Sequence, residues 1–349
     1  MSRETPPAPP PAPPDRSLSY AIAISVVLLA LAVLGGSSLS RLTRPAPSPP
    51  GVPPSPITPA SATPPPTDTS AFVFTQPLSA GCAAGDAVYV VSNGGGIGRY
   101  AFDGWQLIDP TARSLVAAAC QGDVLTAVGG GGRVVAINDR DQTIRSDSVL
   151  PEDFLGLAPL ADGVLVVGRA GTVERQGGAG WGRYASGIEE DLFGVAAFDP
   201  TSAWAVGAGG ASYRLEPGGW RPVPTGVTST LRAIAATSLD DAVAAGDDGV
   251  VLVWAGRWER LENIPKVRYQ AVLRAGAATY AAGDGGTLIS FQSASFTRSA
   301  VARIDLGTSC TLRALFGRGD EIWVIGSDGG RSAVWRITGG TVFRWGQCP

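Results

Sequence analysis

Along residues 71–349, apolar and polar positions form short runs separated by glycine-rich turns, and one arrangement of them recurs seven times. In the fifth copy, residues 231–235 alternate and predict a first strand. Residues 238–241 are a polar turn, and residues 242–245 are a short apolar strand of small residues. Gly246-Asp247-Asp248-Gly249 then predicts a hairpin, because Asp-Gly supplies the positive φ that tight hairpins need. Residues 250–254 predict a third strand, and the alternation of residues 257–261 predicts a half-exposed fourth. Every copy shares one signature: an apolar strand ends in a small residue, and a glycine follows three positions later. It reads Val-Ser-Asn-Gly-Gly at 91–95, Val-Gly-Gly-Gly-Gly at 128–132, Val-Gly-Arg-Ala-Gly at 167–171 and Val-Gly-Ala-Gly-Gly at 206–210. It continues as Ala-Gly-Asp-Asp-Gly at 245–249, Ala-Gly-Asp-Gly-Gly at 282–286 and Ile-Gly-Ser-Asp-Gly at 325–329. The steps are 37, 39, 39, 39, 37 and 43 residues. Four strands per unit of about 40 residues predict an all-β, seven-bladed β-propeller over residues 71–349. Six or eight blades stay open, since the end units are irregular.

The aromatic residues follow the same period. Trp105, Trp181, Trp220, Trp258 and Phe296 each stand nine or ten positions after the second glycine, and the seventh unit places Trp345 later. The second unit has Thr143-Ile144 instead. Such regularity predicts packing between neighbouring blades where they diverge, not ligand stacking. Ring closure has two readings: residues 71–74 add a strand to the last blade, or residues 341–345 form that blade's own outer strand.

Ahead of the repeats, residues 17–36 carry no charge over 20 positions. As a helix they span about 30 Å, the thickness of a bilayer core. The flanking charges Arg3, Glu4, Asp15 and Arg16 cancel and the apolar core is long, which favours an uncleaved signal anchor over a cleaved signal peptide. The lipid bilayer is thus an expected partner through residues 17–36. Residues 1–16 form a short Pro-rich tail, expected to be cytoplasmic. Eleven prolines fall between Pro45 and Pro66, so residues 37–70 are expected as a disordered, extended spacer.

The chain has no histidine, which removes the commonest general base and metal ligand. No Ser-His-Asp or Cys-His triad exists, no cofactor or metal is expected, and the chain is not expected to be an enzyme. Net charge is −3 with no basic cluster, which argues against nucleic acid. The glycine runs at 94–96 and 129–132 lack the Lys-Ser/Thr of a phosphate loop. Asp247, Asp248, Asp284 and Asp328 share one hairpin position in units five to seven, either as turn chemistry, the preferred reading, or as a cation-binding rim. Glu152-Asp153 and Glu189-Glu190-Asp191 are expected as solvated loops between units.

Cys82, Cys120, Cys310 and Cys348 all follow the apolar segment, and none has metal-site spacing. An even number suggests two disulfides in an exported domain. The preferred pairing is Cys82–Cys120, on equivalent inner strands of adjacent units, with Cys310–Cys348 pinning the last unit. The rival pairing joins Cys82 to Cys348 across the ring seam. Disulfides set the expected orientation, with the propeller on the periplasmic or outer side of a bacterial cytoplasmic membrane. Secretion after cleavage is the alternative.

The segments LRAIAATSLDDAVAAGDDGVVLVWAGRWERL and LFGVAAFDPTSAWAVGAGGASYRLEPGGWRPV resemble the units of bacterial BNR-like and photosystem II stability/assembly-factor-like propellers. The resemblance covers the repeat region only. It departs from the sialidase-type Asp-box, of which Ser327-Asp328-Gly329 is a fragment, so a glycosidase has no residues to rest on. The expected function is therefore a protein-interaction or assembly scaffold with protein partners in the cell envelope. The alternative is a propeller that binds or processes carbohydrate or another polymer, which requires two facing carboxylates in the central cleft. An envelope sensor is disfavoured by the short tail ahead of the helix.

Overall fold

A computed structural model describes residues 77–348 apart from 102–103, 111–113, 142–143, 149–151, 179 and 293–300. The chain divides into two units, residues 1–52 and 53–349, and the described residues all belong to the second. The expected tail, membrane segment 17–36, spacer 37–70 and closing strand 71–74 lie outside the described residues, as does Phe296. Among the described residues, no helix is long and apolar enough to cross a membrane.

Seven four-stranded antiparallel sheets follow one another along the chain, each pairing its strands in sequence order. They form blade 1 (residues 78–110), blade 2 (115–148), blade 3 (154–183), blade 4 (192–222), blade 5 (231–260), blade 6 (269–303) and blade 7 (311–346). Blade 5 contains the four strands expected there: Leu231–Ser238, Asp241–Gly246, Val251–Trp254 and Trp258–Arg260. The first strand of each blade neighbours the first strand of the next, and that of blade 7 neighbours that of blade 1. These seven strands therefore ring the central axis. The second strands lie between crowded neighbours and are almost wholly buried, Ala87–Ser92 entirely so. Small side chains such as Ala242, Ala244 and Ala245 fit there. Farther out the sheets diverge and aromatics fill the gap, since a Trp buries the most area per residue. Trp204 of blade 4 meets Trp254 and Trp258 of blade 5 with ring centroids 5.0 and 5.2 Å away. Trp181 stacks on Phe154 at 6.1 Å, and Trp220 packs on the core between blades 3 and 4.

Among the described residues, blade 7 supplies its own outer strand, Thr341–Gly346, and meets blade 1 largely through side chains. At the seam Trp323 stacks on Trp345 at 5.6 Å, and Tyr100 of blade 1 stands 5.2 Å from Trp345. The Leu78 N–H donates to Ser332 Oγ across this buried seam at 3.0 Å. Cys82 is joined to Cys120, with Cα atoms 5.6 Å apart, and ties the first strands of blades 1 and 2. Cys310 is joined to Cys348, with Cα atoms 6.0 Å apart, and ties the chain end to the connection ahead of blade 7.

The repeated glycine signature proves to be a clasp. In blades 2 to 6 a Cβ on Gly129, Gly168, Gly207, Gly246 or Gly283 would lie 1.9–2.2 Å from the carbonyl oxygen just ahead of that blade's first strand. A Cβ on the second glycine, at Gly171, Gly210 or Gly286, would lie 1.9–2.0 Å from a carbonyl oxygen of the connection to the next blade. The N–H groups of Gly171, Gly249 and Gly286 donate into those connections, to the carbonyls of Glu190, Val267 and Cys310, at 2.8–2.9 Å. Each turn is thus held between two inter-blade connections. The hairpin expected at residues 246–249 of blade 5 forms, and both Asp248 (φ 57°) and Gly249 (φ 67°) take the positive φ expected there. Blade 7 departs: its second strand runs on to Asp328, and a Cβ on Gly329 would meet nothing within 4 Å.

Among the described residues, one buried carboxyl makes no hydrogen bond. Glu174, in the third strand of blade 3, is 2% exposed, and its Oε1 has no partner. Burial raises its pKa above the ordinary 4.5, with Glu152 adding to the rise and Arg183 opposing it. The folded state then holds the proton more tightly than the unfolded chain. Its contribution is fully present below pH 4.5 and is lost as pH rises through the folded value. Glu174→Gln should therefore raise the melting temperature at pH 7 and leave it unchanged near pH 4, which a calorimetric pH series reads directly.

Candidate binding site at the channel mouth

Every first strand begins with the same local irregularity. A buried anchor (Leu78, Leu115, Phe154, Leu192, Leu231, Tyr269 or Leu312) is followed two positions later by Ala or Gly, and the pairing register shifts between the two. The small residue lets adjacent first strands approach, so the residue between is squeezed out as a β-bulge, a device that re-aims a side chain. The bulged residues are Ser79, Val116, Leu155, Phe193, Arg232, Gln270 and Arg313, one per blade, and each is half-buried. They stand near the entry ends of the strands that ring the axis, at one mouth of the channel. None of the seven is a carboxylate.

The ring is asymmetric. Val116, Leu155 and Phe193 make an apolar arc over blades 2 to 4, while Arg232, Gln270 and Arg313 make a polar, cationic arc over blades 5 to 7. The Arg232 guanidinium grips Asp247 with two hydrogen bonds, Nε to Oδ1 at 2.5 Å and Nη2 to Oδ2 at 2.9 Å. It also lies over the Phe193 ring, 5.7 Å from its centroid. Arg268 adds a second cation 3.3 Å from the same Asp247 oxygen. Arg313 donates to the buried Ser327 Oγ at 2.6 Å, and among the described residues no carboxylate pairs with it. Arg232 and Arg268 thus bracket Asp247, and Arg313 stands without a carboxylate partner among the described residues.

This places the candidate acids. Asp247 holds Arg232 and Arg268; Asp284 accepts from Thr311 Oγ1 at 3.3 Å; exposed Asp248 accepts from Ser229 Oγ at 2.8 Å. Asp328 sits apart in blade 7's hairpin. The described residues contain no cluster of three or more acidic, Cys or His ligands able to hold a metal. The acids between blades lie in loops, as expected, with Glu189 and Glu190 exposed, and three of them also bond neighbouring groups. Asp153 accepts the Gly131 N–H at 2.9 Å and Arg169 Nε at 3.1 Å, and these bonds, the Gly131 one first, hold its carboxyl below the usual range. Glu190 is lowered chiefly by the Tyr213 hydroxyl at 2.7 Å. Asp191 accepts the Ala170 N–H at 2.9 Å. Asp153 and Asp191 thus strap the clasp turns down. The bulge ring went unread in the sequence, although its signal is there as an apolar residue, any residue, then Ala or Gly at the head of each unit.

The fold and this mouth define a seven-bladed β-propeller with an arginine-bearing entrance. No protein-family model matches the sequence, and no curated protein sequence does. Similar solved structures include the WD40 β-propeller domain of Doa1, at 11% identity and TM-score 0.63, with 74% of this chain and 92% of that one covered. U3-55K aligns at 12% identity and TM-score 0.62, over 78% and 96% of the two chains. YCF48 bound to a D1 peptide aligns at 15% identity and TM-score 0.60, over 79% and 93%. These similarities show the fold.

Proposed function

We propose that this chain is a membrane-anchored scaffold whose propeller, on the periplasmic or outer side of a bacterial cytoplasmic membrane, docks a peptide segment of an envelope protein at the channel mouth. The mouth itself carries this reading: an apolar arc ends in Phe193 beside Arg232, with Arg313 farther round the ring, and none of the seven bulged positions is a carboxylate. Such a surface suits an extended peptide with apolar side chains and an acidic group, because Arg binds carboxylates through a preformed fork. A propeller of the same fold is bound to a peptide in the YCF48 structure. Residues 17–36 serve as the anchor and residues 37–70 as the spacer that gives the ring reach. The two disulfides favour an oxidising compartment.

The double variant Phe193→Ala/Arg313→Glu tests this reading. Its recovery of the co-purifying partner should fall about tenfold or more, an effect of roughly 1.4 kcal/mol, with the melting temperature unchanged. Alkaline carbonate should leave the wild-type chain in the membrane fraction, and protease added to spheroplasts should cut the propeller. Undiminished recovery in a folded double variant would overturn the docking site. Release by carbonate or protection from protease would overturn the anchor or its orientation.

A further inference from the structure

A cleft of about 430 Å³ opens between blades 2 and 3 on the opposite face, beside the turns that join first strands to second strands. Small residues line it on both sides. At the cleft Ala119 and Ala136 of blade 2 face Pro159 and Gly163 of blade 3. Val124 lines it and is 38% exposed, one of three large apolar side chains so exposed among the described residues. The volume lies in the range of built ligand pockets, and the lining is apolar with a few polar groups. Two of those are the Gln121 and Gln176 side-chain amides, which have no partner among the described residues and can meet a peptide backbone.

The rim is acidic. Five of the seven two-residue turns on this face carry an aspartate (Asp86, Asp123, Asp162, Asp240 and Asp320), and none carries a Lys or Arg. Asp123 and Asp162 flank the cleft. Asp123 pairs with Arg140 at 2.5 Å and Asp162 with Arg175 at 2.6 Å. Arg140 is 80% exposed and Asp162 is 53% exposed, so both pairs are surface pairs that an incoming cation can displace or join. Beyond them the Asp86 carboxylate is 80% exposed, 3.9 Å from Arg318, which donates to the Asp86 carbonyl at 2.9 Å.

We propose that this cleft docks an extended segment of a protein partner, which inserts one aliphatic side chain between blades 2 and 3 and sets a Lys or Arg against Asp123 and Asp162. The site is on the face away from the Phe193 mouth, so it stands or falls independently of that reading. Occupied together, the two faces would let one ring bridge two partners.

The test is selection of random phage-displayed peptides of about a dozen residues on the detergent-solubilised full-length chain, followed by fluorescence anisotropy of the enriched peptides. Ala161→Trp puts an indole at the cleft rim from an exposed turn, and Ala277→Trp makes the same change on the turn of blade 6. Enriched peptides should share an aliphatic residue close to a Lys or Arg. They should bind Ala161→Trp about tenfold more weakly than wild type, lose affinity in Asp123→Asn/Asp162→Asn, and bind Ala277→Trp normally. No enrichment, enrichment of peptides that ignore Ala161→Trp, or affinity indifferent to the Asn pair would each overturn the proposal.

Discussion

Gly210→Ala should abolish cooperative folding or cost at least ~3 kcal/mol, while Gly209→Ala, one residue earlier, should cost about 1–2 kcal/mol. The two glycines sit in the same turn of blade 4 with φ of 77° and 64°, so both substitutions carry the left-handed penalty of a residue with a Cβ. They differ in what the Cβ meets. At Gly209 nothing lies within 4 Å; at Gly210 the Val227 carbonyl oxygen would be 2.0 Å away. That oxygen belongs to the connection into blade 5, so relieving the clash moves one blade against the next. A domain stable by only about 5–15 kcal/mol has little room for that. Chemical denaturation of both variants gives the contrast, and equal losses would mean that the signature serves the turn alone.

Cys82→Ser/Cys120→Ser should lose about 4 kcal/mol of stability. The bridge closes a loop with a sequence separation of 38, for which the chain-entropy model gives about that amount. It lies between two inner strands otherwise joined by side-chain packing and by few backbone bonds, such as the Gly85 N–H to the Gly122 carbonyl at 3.1 Å. The loss should show as a lower denaturation midpoint in the variant and in reduced wild-type protein alike. A variant as stable as the oxidised wild type would contradict the account of how blades 1 and 2 are held.

Much of this was legible because repetition multiplies weak local signals. One Ala-Gly-Asp-Asp-Gly is only a turn; seven at a near-constant step define blades. The strands of blade 5 and the inter-blade role of Trp105, Trp181, Trp220, Trp258 and Trp345 followed from that period. The clasp was not legible, because a hairpin glycine and a glycine under another strand's carbonyl read alike until Ile188, Val227 and Thr308 are in place. For the same reason Asp153 and Asp191 read as solvated loop residues although they cap the turns at 131 and 170. The bulge ring stayed hidden because its variable position, from Ser79 to Arg313, has no composition of its own; only its small neighbour recurs. The cleft between blades 2 and 3 was out of reach, since it is a property of two facing sheets.

The measurement that bears most directly on the scaffold reading is photocrosslinking in intact producing cells, with p-benzoylphenylalanine placed at position 193 in the mouth or at position 221 on the exposed outer strand of blade 4. The account predicts one protein adduct from position 193, recovered in near-equal amount, lost in Arg313→Glu and absent from position 221. No protein adduct from position 193, or the same adducts from both positions, would contradict it and direct the search to glycans and small molecules.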